Sequence, residues 1–352
     1  MNEDNKISNG VKICLYLEFY HFLGGFLYKN IGTGLLSSYN NQKKTLHSLN
    51  IEFTEKWSSE CGILQINTPW LKSLWLMKKA KRMGKKVIVW SHVTAEDAKE
   101  VFWFNKYFFP LIKKYLKYAY GLADLVFCPS EHTKSLLAAY GLPPEKLIVQ
   151  SNGVDPIIFY RDPQKREACR SQHNCRGLVI GTVGLVIPRK GIDTFLELAK
   201  KFPQHQFIWF GKIYSSFMAK PLPKNLPGNV KFTGYVDDIC AAFNAIDIFV
   251  FPSYEENQGM VLLEAAAVGL PILVRDIPTY QGWLRNNENC LKAKNDDEFK
   301  ICLERLIGDE NLRRRLIEGS KILAQKESID FLNKQLLLTY QKLLLKNLEK
   351  IL

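Results

Sequence analysis

Two trains of short β-branched and aromatic runs, each run followed by a helical pattern, fill the chain between residues 11 and 276. That alternation predicts βα units, and βα units in series predict a parallel sheet with helices on both faces. In the first train the runs are VKICLYLE (11–18), GILQIN (62–67), KKVIVWSH (85–92), ADLVFCPS (123–130) and a weaker LIVQSNG (147–153). Helices are expected around 35–48, 70–83, 106–120 and 131–140. The second train reads LVIGTVG (178–184), QFIWFG (206–211), VKFTGYV (230–236), IDIFVFPS (246–253) and LPILVRD (270–276). Two closing helices are expected, about 296–325 and 327–347.

A chain of 352 residues exceeds what one hydrophobic core usually serves, so two domains are expected. The segment SNGVDPIIFYRDPQKRE, with Pro156 and Pro163, reads as the linker between them. The expected fold is α/β: two Rossmann-like, doubly wound parallel-sheet domains facing a central cleft. Its expected boundaries are 1–153, 154–326 and a terminal helix, 327–352, packing back toward the amino-terminal domain. Such sheets bind ligands at the carboxyl ends of their strands, which directs attention to the polar turns there.

The richest of those turns is PSYEENQGMVLLEAAAVGLP (252–271), where Glu256 and Glu264 stand on either side of Gly259. A helix beginning near Met260 exposes unpaired N–H groups and partial positive charge, a cradle for phosphate. Glu264 falls about 7 to 8 Å beyond Gly259 along that helix. Carboxylates accept paired hydroxyl hydrogen bonds, so Glu256 could hold sugar hydroxyls and Glu264 ribose hydroxyls. The plainer reading makes both solvated acids; for Glu264 that is awkward, because Val261 to Ala267 is apolar around it.

GTVGLVIPRKGIDTF (181–195) places Arg189 and Lys190 between a strand and a helix, where paired cations could neutralise a leaving diphosphate. Solvated decoration is the competing account. His92 follows a strand in KKVIVWSHVTAED, as a hydrogen-bonding group at a reacting sugar or as a satisfied core histidine. Gly32 and Gly34 in KNIGTGLLSSYNNQ allow a backbone to approach a ligand closely, or make a plain turn. No DxD pair is present, and Cys169, His173 and Cys175 lack a fourth ligand for zinc. The expectation is therefore no metal and no cofactor. Eight scattered cysteines without a CxxC pair read as reduced thiols.

Net charge is +13, which implies an anionic partner. Residues 1–150 hold 20 Lys and Arg against 12 Asp and Glu. WLKSLWLMKKAKRMGKK (70–86) sets Trp70, Leu71, Leu74 and Trp75 on one helical face, and VFWFNKYFFPLIKKYLKY (101–118) crowds aromatic residues before a basic helix. Basic amphipathic surface with aromatic anchors suits an anionic membrane leaflet, although helices covering a sheet explain part of each segment. The polar start MNEDNKISNG is no signal peptide, and Met260–Val274, interrupted by Glu264, Gly269 and Pro271, is no membrane span. No helix-turn-helix or zinc module is recognisable, so nucleic acid is not an expected partner. The expected location is cytoplasmic, peripheral on the inner face of the plasma membrane.

Glu256 to Glu264 resembles the E-x7-E motif of retaining family-four glycosyltransferases of the GT-B fold. The resemblance extends over most of the chain through SNGVD (151–155), RKG (189–191), FIWFG (207–211), FTGYV (232–236) and LVRDIPTY (273–280). ILQINTP, SHVTAED and SYEENQG look like the bacterial diacylglycerol glucosyl- and galactosyltransferase branch. This implies a nucleotide-sugar donor, most often a UDP-hexose, a lipid or glycan acceptor, retention of configuration and no metal. It implies that Glu256 binds the hexose, Glu264 the ribose, Arg189 and Lys190 the diphosphate, and that His92 meets the sugar near its anomeric carbon. The turn Asn257, Gln258, Gly259 and Met260, with Gly234 and Tyr235, completes the implied donor site. Leu185 departs from the family, which usually has arginine there. The alternatives are a soluble transferase of polysaccharide or lipopolysaccharide synthesis and a sugar-nucleotide epimerase.

Overall fold

The computed structural model describes residues 12–18, 34–99, 105–213 and 225–348. Gly32, the first eleven residues and the aromatic residues at 101–104 lie outside them. The first sheet comprises β1 (Ile13–Tyr16), β2 (Phe53–Thr54), β3 (Ile63–Ile66), β4 (Lys86–Trp90), β5 (Leu125–Cys128) and β6 (Leu147–Val149). Its order is β2-β1-β3-β4-β5-β6, with every pair parallel. Helices α1 (Gly34–Ser48), α2 (Leu71–Arg82), α3 (Ala95–Lys99), α4 (Asn105–Gly121) and α5 (Glu131–Ala139) belong to this module.

The second sheet comprises β7 (Val179–Val183), β8 (Gln206–Phe210), β9 (Val230–Gly234), β10 (Ile248–Phe251), β11 (Ile272–Arg275) and β12 (Leu291–Ala293). It is parallel in the order β12-β11-β10-β7-β8-β9. Its helices are α6 (Pro163–Gln172), α7 (Ile192–Lys201), α8 (Ile239–Ala245), α9 (Met260–Val268), α10 (Asp296–Gly308) and α11 (Glu310–Lys326). A last helix, α12 (Ile329–Leu348), closes the chain.

Burial on both faces explains the continuous apolar runs. Along β1, Ile13 and Leu15 pack on one face while Cys14 and Tyr16 pack on the other. Val87 and Val89 separate from Ile88 and Trp90 in the same way on β4. Leu336, Tyr340 and Leu343 of α12 join the cluster of Ile13, Leu15, Ile63 and Ile88, so the last helix covers the first sheet. Tyr340 also donates to Gln65 Oε1 at 2.8 Å from beneath that sheet. The chain passes between modules twice at one place: Val154 N–H donates to Glu327 O at 2.9 Å and Ile329 N–H to Val154 O at 3.0 Å.

Two boundaries differ from expectation. Pro163, read as linker, is the first residue of α6, and Asp162 caps that helix by accepting from Gln164 N at 2.8 Å and Lys165 N at 3.0 Å. Proline suits a helix start because its missing N–H would be unpaired there anyway. The single helix expected over 296–325 is two, α10 and α11, because Asp309 turns extended and accepts from Leu312 N at 2.8 Å. Strands β2 and β12 are too short for a periodic signal. Among the described residues no helix is long and apolar enough to cross a membrane.

Candidate active site

Strand order reverses between β10 and β7, the place where doubly wound sheets open a crevice. The exits of those two strands carry the charged turns. Pro188–Lys190 forms a single 3₁₀ turn after β7, and Gly191, at φ 75°, starts α7. A side chain at Gly191 would put its Cβ 2.3 Å from Pro252 O, so the two exits touch only because this residue is glycine. Gly259, at φ 84°, likewise starts α9.

That contact builds a buried ionic knot. Glu256 Oε1 accepts from Lys190 Nζ, from Ser253 Oγ at 2.7 Å, and lies 3.6 Å from Arg189 Nη1. Thr279 Oγ1 holds the Glu256 carbonyl at 2.7 Å. Arg189 turns the other way as well, meeting Asp97 Oδ1 at 3.2 Å and donating to Glu255 O. Burial opposes ionisation of Glu256, but Lys190 and Arg189 hold its carboxyl below the ordinary range. Burial pushes Asp97 up to about 6, against the pull of Arg189 and with the push of Glu256. Burial, opposed by Glu256 and aided by Arg189, draws the Lys190 ammonium below its ordinary value.

Glu264 is different. It is buried on α9, and among the described residues its carboxyl makes no hydrogen bond or ion pair. Burial alone pushes it up to about 8. A carboxyl left unpartnered inside a protein asks for a ligand.

His92 sits at the exit of β4, stacked on Trp90 with centroids 5.7 Å apart, and its Nε2 is 3.2 Å from Asn67 Oδ1. Its proton is placed by a chain of bonds that starts in the other module. Gln258 Oε1 accepts from the Asn152 backbone N–H at 3.0 Å, which makes it an acceptor, so Asn152 Nδ2 donates to it at 2.8 Å. Asn152 Oδ1 then accepts from Ser38 Oγ at 2.7 Å, and Ser38 Oγ accepts from Gln42 Nε2 at 3.2 Å. Gln42 Nε2 also donates to Asn67 Oδ1 at 2.7 Å. Asn67 Oδ1 is thereby an acceptor, and His92 carries its proton on Nε2, leaving Nδ1 with a lone pair. Burial pushes the imidazole down to about 3, so it is neutral.

Glu256, His92, Lys190, Arg189, Glu264, Gly259, Asn257, Gln258, Met260, Gly34 and Tyr235 all line one cavity of about 390 Å³. Gly234 does not line it; at φ 76° it ends β9 and accepts from Gly211 N at 2.9 Å, which aims Tyr235 instead. Gly32 is outside the described residues. Among the lining residues that sequence reasoning passed over are Asp97, Asn152 and Lys212. Asp97 stands within SHVTAED and Lys212 directly after FIWFG, so both were within reach as polar residues at strand exits. Among the described residues no group of three or more His, Cys, Asp and Glu side chains is placed to hold a metal. Cys169 is in the core instead, and His173 packs on Phe210 at 5.4 Å.

The amphipathic surface is narrower than the helical face suggested. Leu74 is only 9% exposed and belongs to the core, whereas Leu71 is 78% and Trp75 57% exposed. Phe108, Leu111 and Tyr118 of α4 are also exposed, and Lys78 reaches over the Tyr118 ring at 5.4 Å, which joins α2 to α4.

Residues 165–322 match the family described as Glycosyl transferases group 1, and residues 53–157 match Glycosyltransferase Family 4. The processive diacylglycerol alpha-glucosyltransferase of Acholeplasma laidlawii is 32% identical over 89% of this chain and 94% of its own length. The alpha-galactosylglucosyldiacylglycerol synthase of Streptococcus pneumoniae is 27% identical over 89% of this chain and 87% of its own length. Among solved structures, Anabaena HepE in complex with UDP-glucose superposes with a TM-score of 0.75 at 18% identity, covering 94% of this chain and 99% of HepE. WaaG, a glycosyltransferase involved in lipopolysaccharide biosynthesis, superposes at 0.65 with 17% identity, over 93% of this chain and 98% of its own.

Proposed function

The chain is a GT-B enzyme that belongs to the group 1, family-four glycosyltransferases, and from that premise we propose that it moves a hexose from a UDP-sugar to a diacylglycerol-type lipid, retaining the anomeric configuration. The observation that carries this reading is the position of Glu264. It is a buried carboxyl without a protein partner, inside the helix whose mouth faces Lys190, Glu256 and His92 across one cavity. UDP-glucose in HepE and the lipid acceptors in the names of the two curated relatives support the choice of substrates.

The diphosphate lies at the amino end of α9, where free N–H groups and the helix dipole favour it. Glu264 takes the ribose hydroxyls and Glu256 the hexose hydroxyls, with Arg189 keeping Glu256 charged and in place. The acceptor oxygen attacks the anomeric carbon on the face from which the nucleotide departs. The bond from that carbon to the β-phosphate oxygen breaks, the new glycosidic bond forms, and the acceptor proton passes to the departing phosphate. Lys190 and the helix mouth stabilise the charge developing there, and no metal ion is required in this reading. Neutral His92, its proton on Nε2, offers Nδ1 to a sugar hydroxyl. Exposed Trp70, Leu71, Trp75 and Leu111, surrounded by lysines, set the acceptor side against an anionic leaflet, the cytoplasmic face of the plasma membrane.

Incubation with UDP- and GDP-sugars and diacylglycerol-containing vesicles, with products weighed by mass spectrometry, tests the reading. A hexosyl lipid with the donor's anomeric configuration is expected. Release of nucleotide with sugar appearing only on soluble glycans, or an altered sugar nucleotide without transfer, would defeat it.

A further inference from the structure

Every cation bound into the ionic knot already has an acid. Lys190 is committed to Glu256, and Arg189 to Asp97, Glu256 and the Glu255 carbonyl. Two cations facing two acids leave little net charge for an incoming dianion. Lys212 lines the same cavity and, among the described residues, makes no ion pair. The acid nearest in sequence on that rim is Asp237, which is exposed and not within ion-pair distance.

Backbone geometry holds Lys212 at this spot. Gly211 N–H donates to Gly234 O at 2.9 Å and Gly184 N–H to Phe210 O at 2.9 Å, so the ends of β7, β8 and β9 are stitched together. A Cβ on Gly211 would lie 1.8 Å from Gly184 O, a contact only glycine permits. Val186 N–H then donates to Lys212 O at 3.0 Å, and Val186 pairs with Ile213 as a parallel bridge. The loop leaving β7, which puts apolar Leu185 on the cavity wall, is thus zipped to Lys212, which lines the same cavity.

We propose that Lys212 binds the donor's diphosphate, supplying from the exit of β8 the uncommitted positive charge that the exit of β7 lacks. This rests on the nucleotide-sugar reading above. Lys190 and Arg189 then divide their charge between Glu256 and the departing phosphate, while Lys212 and the mouth of α9 add the uncompensated charge that binds the phosphate oxygens. Lysine serves as a point charge, so the contact tolerates arginine.

Calorimetric titration of the full chain with UDP, GDP and ADP and with the matching nucleosides separates the outcomes. For the diphosphate that wild type binds, Lys212→Met is expected to lose roughly 10- to 100-fold in affinity, as for a charged hydrogen bond. The matching nucleoside should bind unchanged, Lys212→Arg should recover most of the loss, and added salt should weaken the Met variant's binding less steeply. Equal diphosphate affinity in wild type and Lys212→Met overturns the assignment while leaving the donor reading standing. An equal fall for nucleoside and diphosphate overturns it too, since the effect would then not lie at the phosphates. If wild type binds none of the three diphosphates, the donor reading falls and this inference with it.

Discussion

Asn257 donates its side-chain amide to the His92 carbonyl at 2.9 Å and to the Asp97 carboxylate, so a turn of the second module grips a strand exit of the first. Thr133 Oγ1 reinforces it through the Asn257 carbonyl at 3.3 Å. The two modules are thus joined beside the cavity by groups that touch both.

Asn257→Ala removes that grip without emptying a core. Loss of one bridge should widen the population of open forms and misplace His92 relative to Glu256. A fall in kcat/KM of roughly tenfold or more is expected, with a larger radius of gyration by solution scattering. Unchanged kinetics would separate the bridge from catalysis.

Lys190→Ala should reduce turnover by roughly 100- to 1000-fold, as when an electrostatic stabiliser of a leaving group is removed. It also strands the buried Glu256 carboxylate, which costs stability. Lys190→Ala combined with Glu256→Gln should regain thermal stability and not activity. Recovery of both by the double variant would place the pair in folding alone.

Glu264 carries a pH signature. Its folded-state pKa is raised from 4.5 to about 8, so the folded protein holds more protons between those values. Glu264 therefore costs no stability below pH 4.5, costs progressively more as pH rises through that window, and its penalty levels off above about 8. Glu264→Gln should melt like wild type at pH 5 and roughly 5 °C higher at pH 8.5, while binding UDP more weakly. Ribose hydroxyls donating to the carboxylate favour its charged form, so UDP binding at pH 7 should release protons. Calorimetry in buffers of different ionisation enthalpy measures that release, and Glu264→Gln should abolish it.

His92 should stay neutral over the working pH range. Its folded pKa lies near 3, below the ordinary 6.5, so it lowers stability only as pH falls through that interval. Nitrogen-15 spectra, assigned with a His92→Gln variant, should show an Nε2–H tautomer that does not titrate between pH 5 and 8. Gln258→Ala should loosen the tautomer through the chain of amides although it is remote from the ring.

Two neighbouring leucines separate membrane contact from packing. Leu71→Glu, alone or with Trp75→Glu, should leave the melting temperature near wild type and sharply reduce flotation with anionic vesicles. Leu74→Ala should instead cost about 2 to 4 kcal/mol of stability, because it empties a core site. Undiminished flotation of Leu71→Glu with Trp75→Glu would remove this surface from the proposal.

The βα grammar and the helix mouth at Gly259 were legible because both arise from neighbours in sequence: unbroken apolar runs along strands such as β1, buried on both faces, and a glycine before an apolar helical run. Candidate acids and cations were legible as residue types at strand exits. Which acid meets which cation was not, since Lys190 and Glu256 are joined only where β7 and β10 lie side by side. Asp97 escaped notice for the same reason, its partners Arg189 and Asn257 both belonging to the other module. Leu74 shared a helical face with Leu71 and Trp75 on paper, but the sheet beneath accepts one edge of that face and water the rest.

Residue order alone was enough for two parallel sheets and for a helix start at Gly259, because hydrogen bonding and burial along one segment impose them. The state of each charge in the cleft was settled only by packing. Whether Arg189 is committed or Lys212 uncommitted, and where His92 keeps its proton, depends on distances and desolvation created when two remote segments exclude water together.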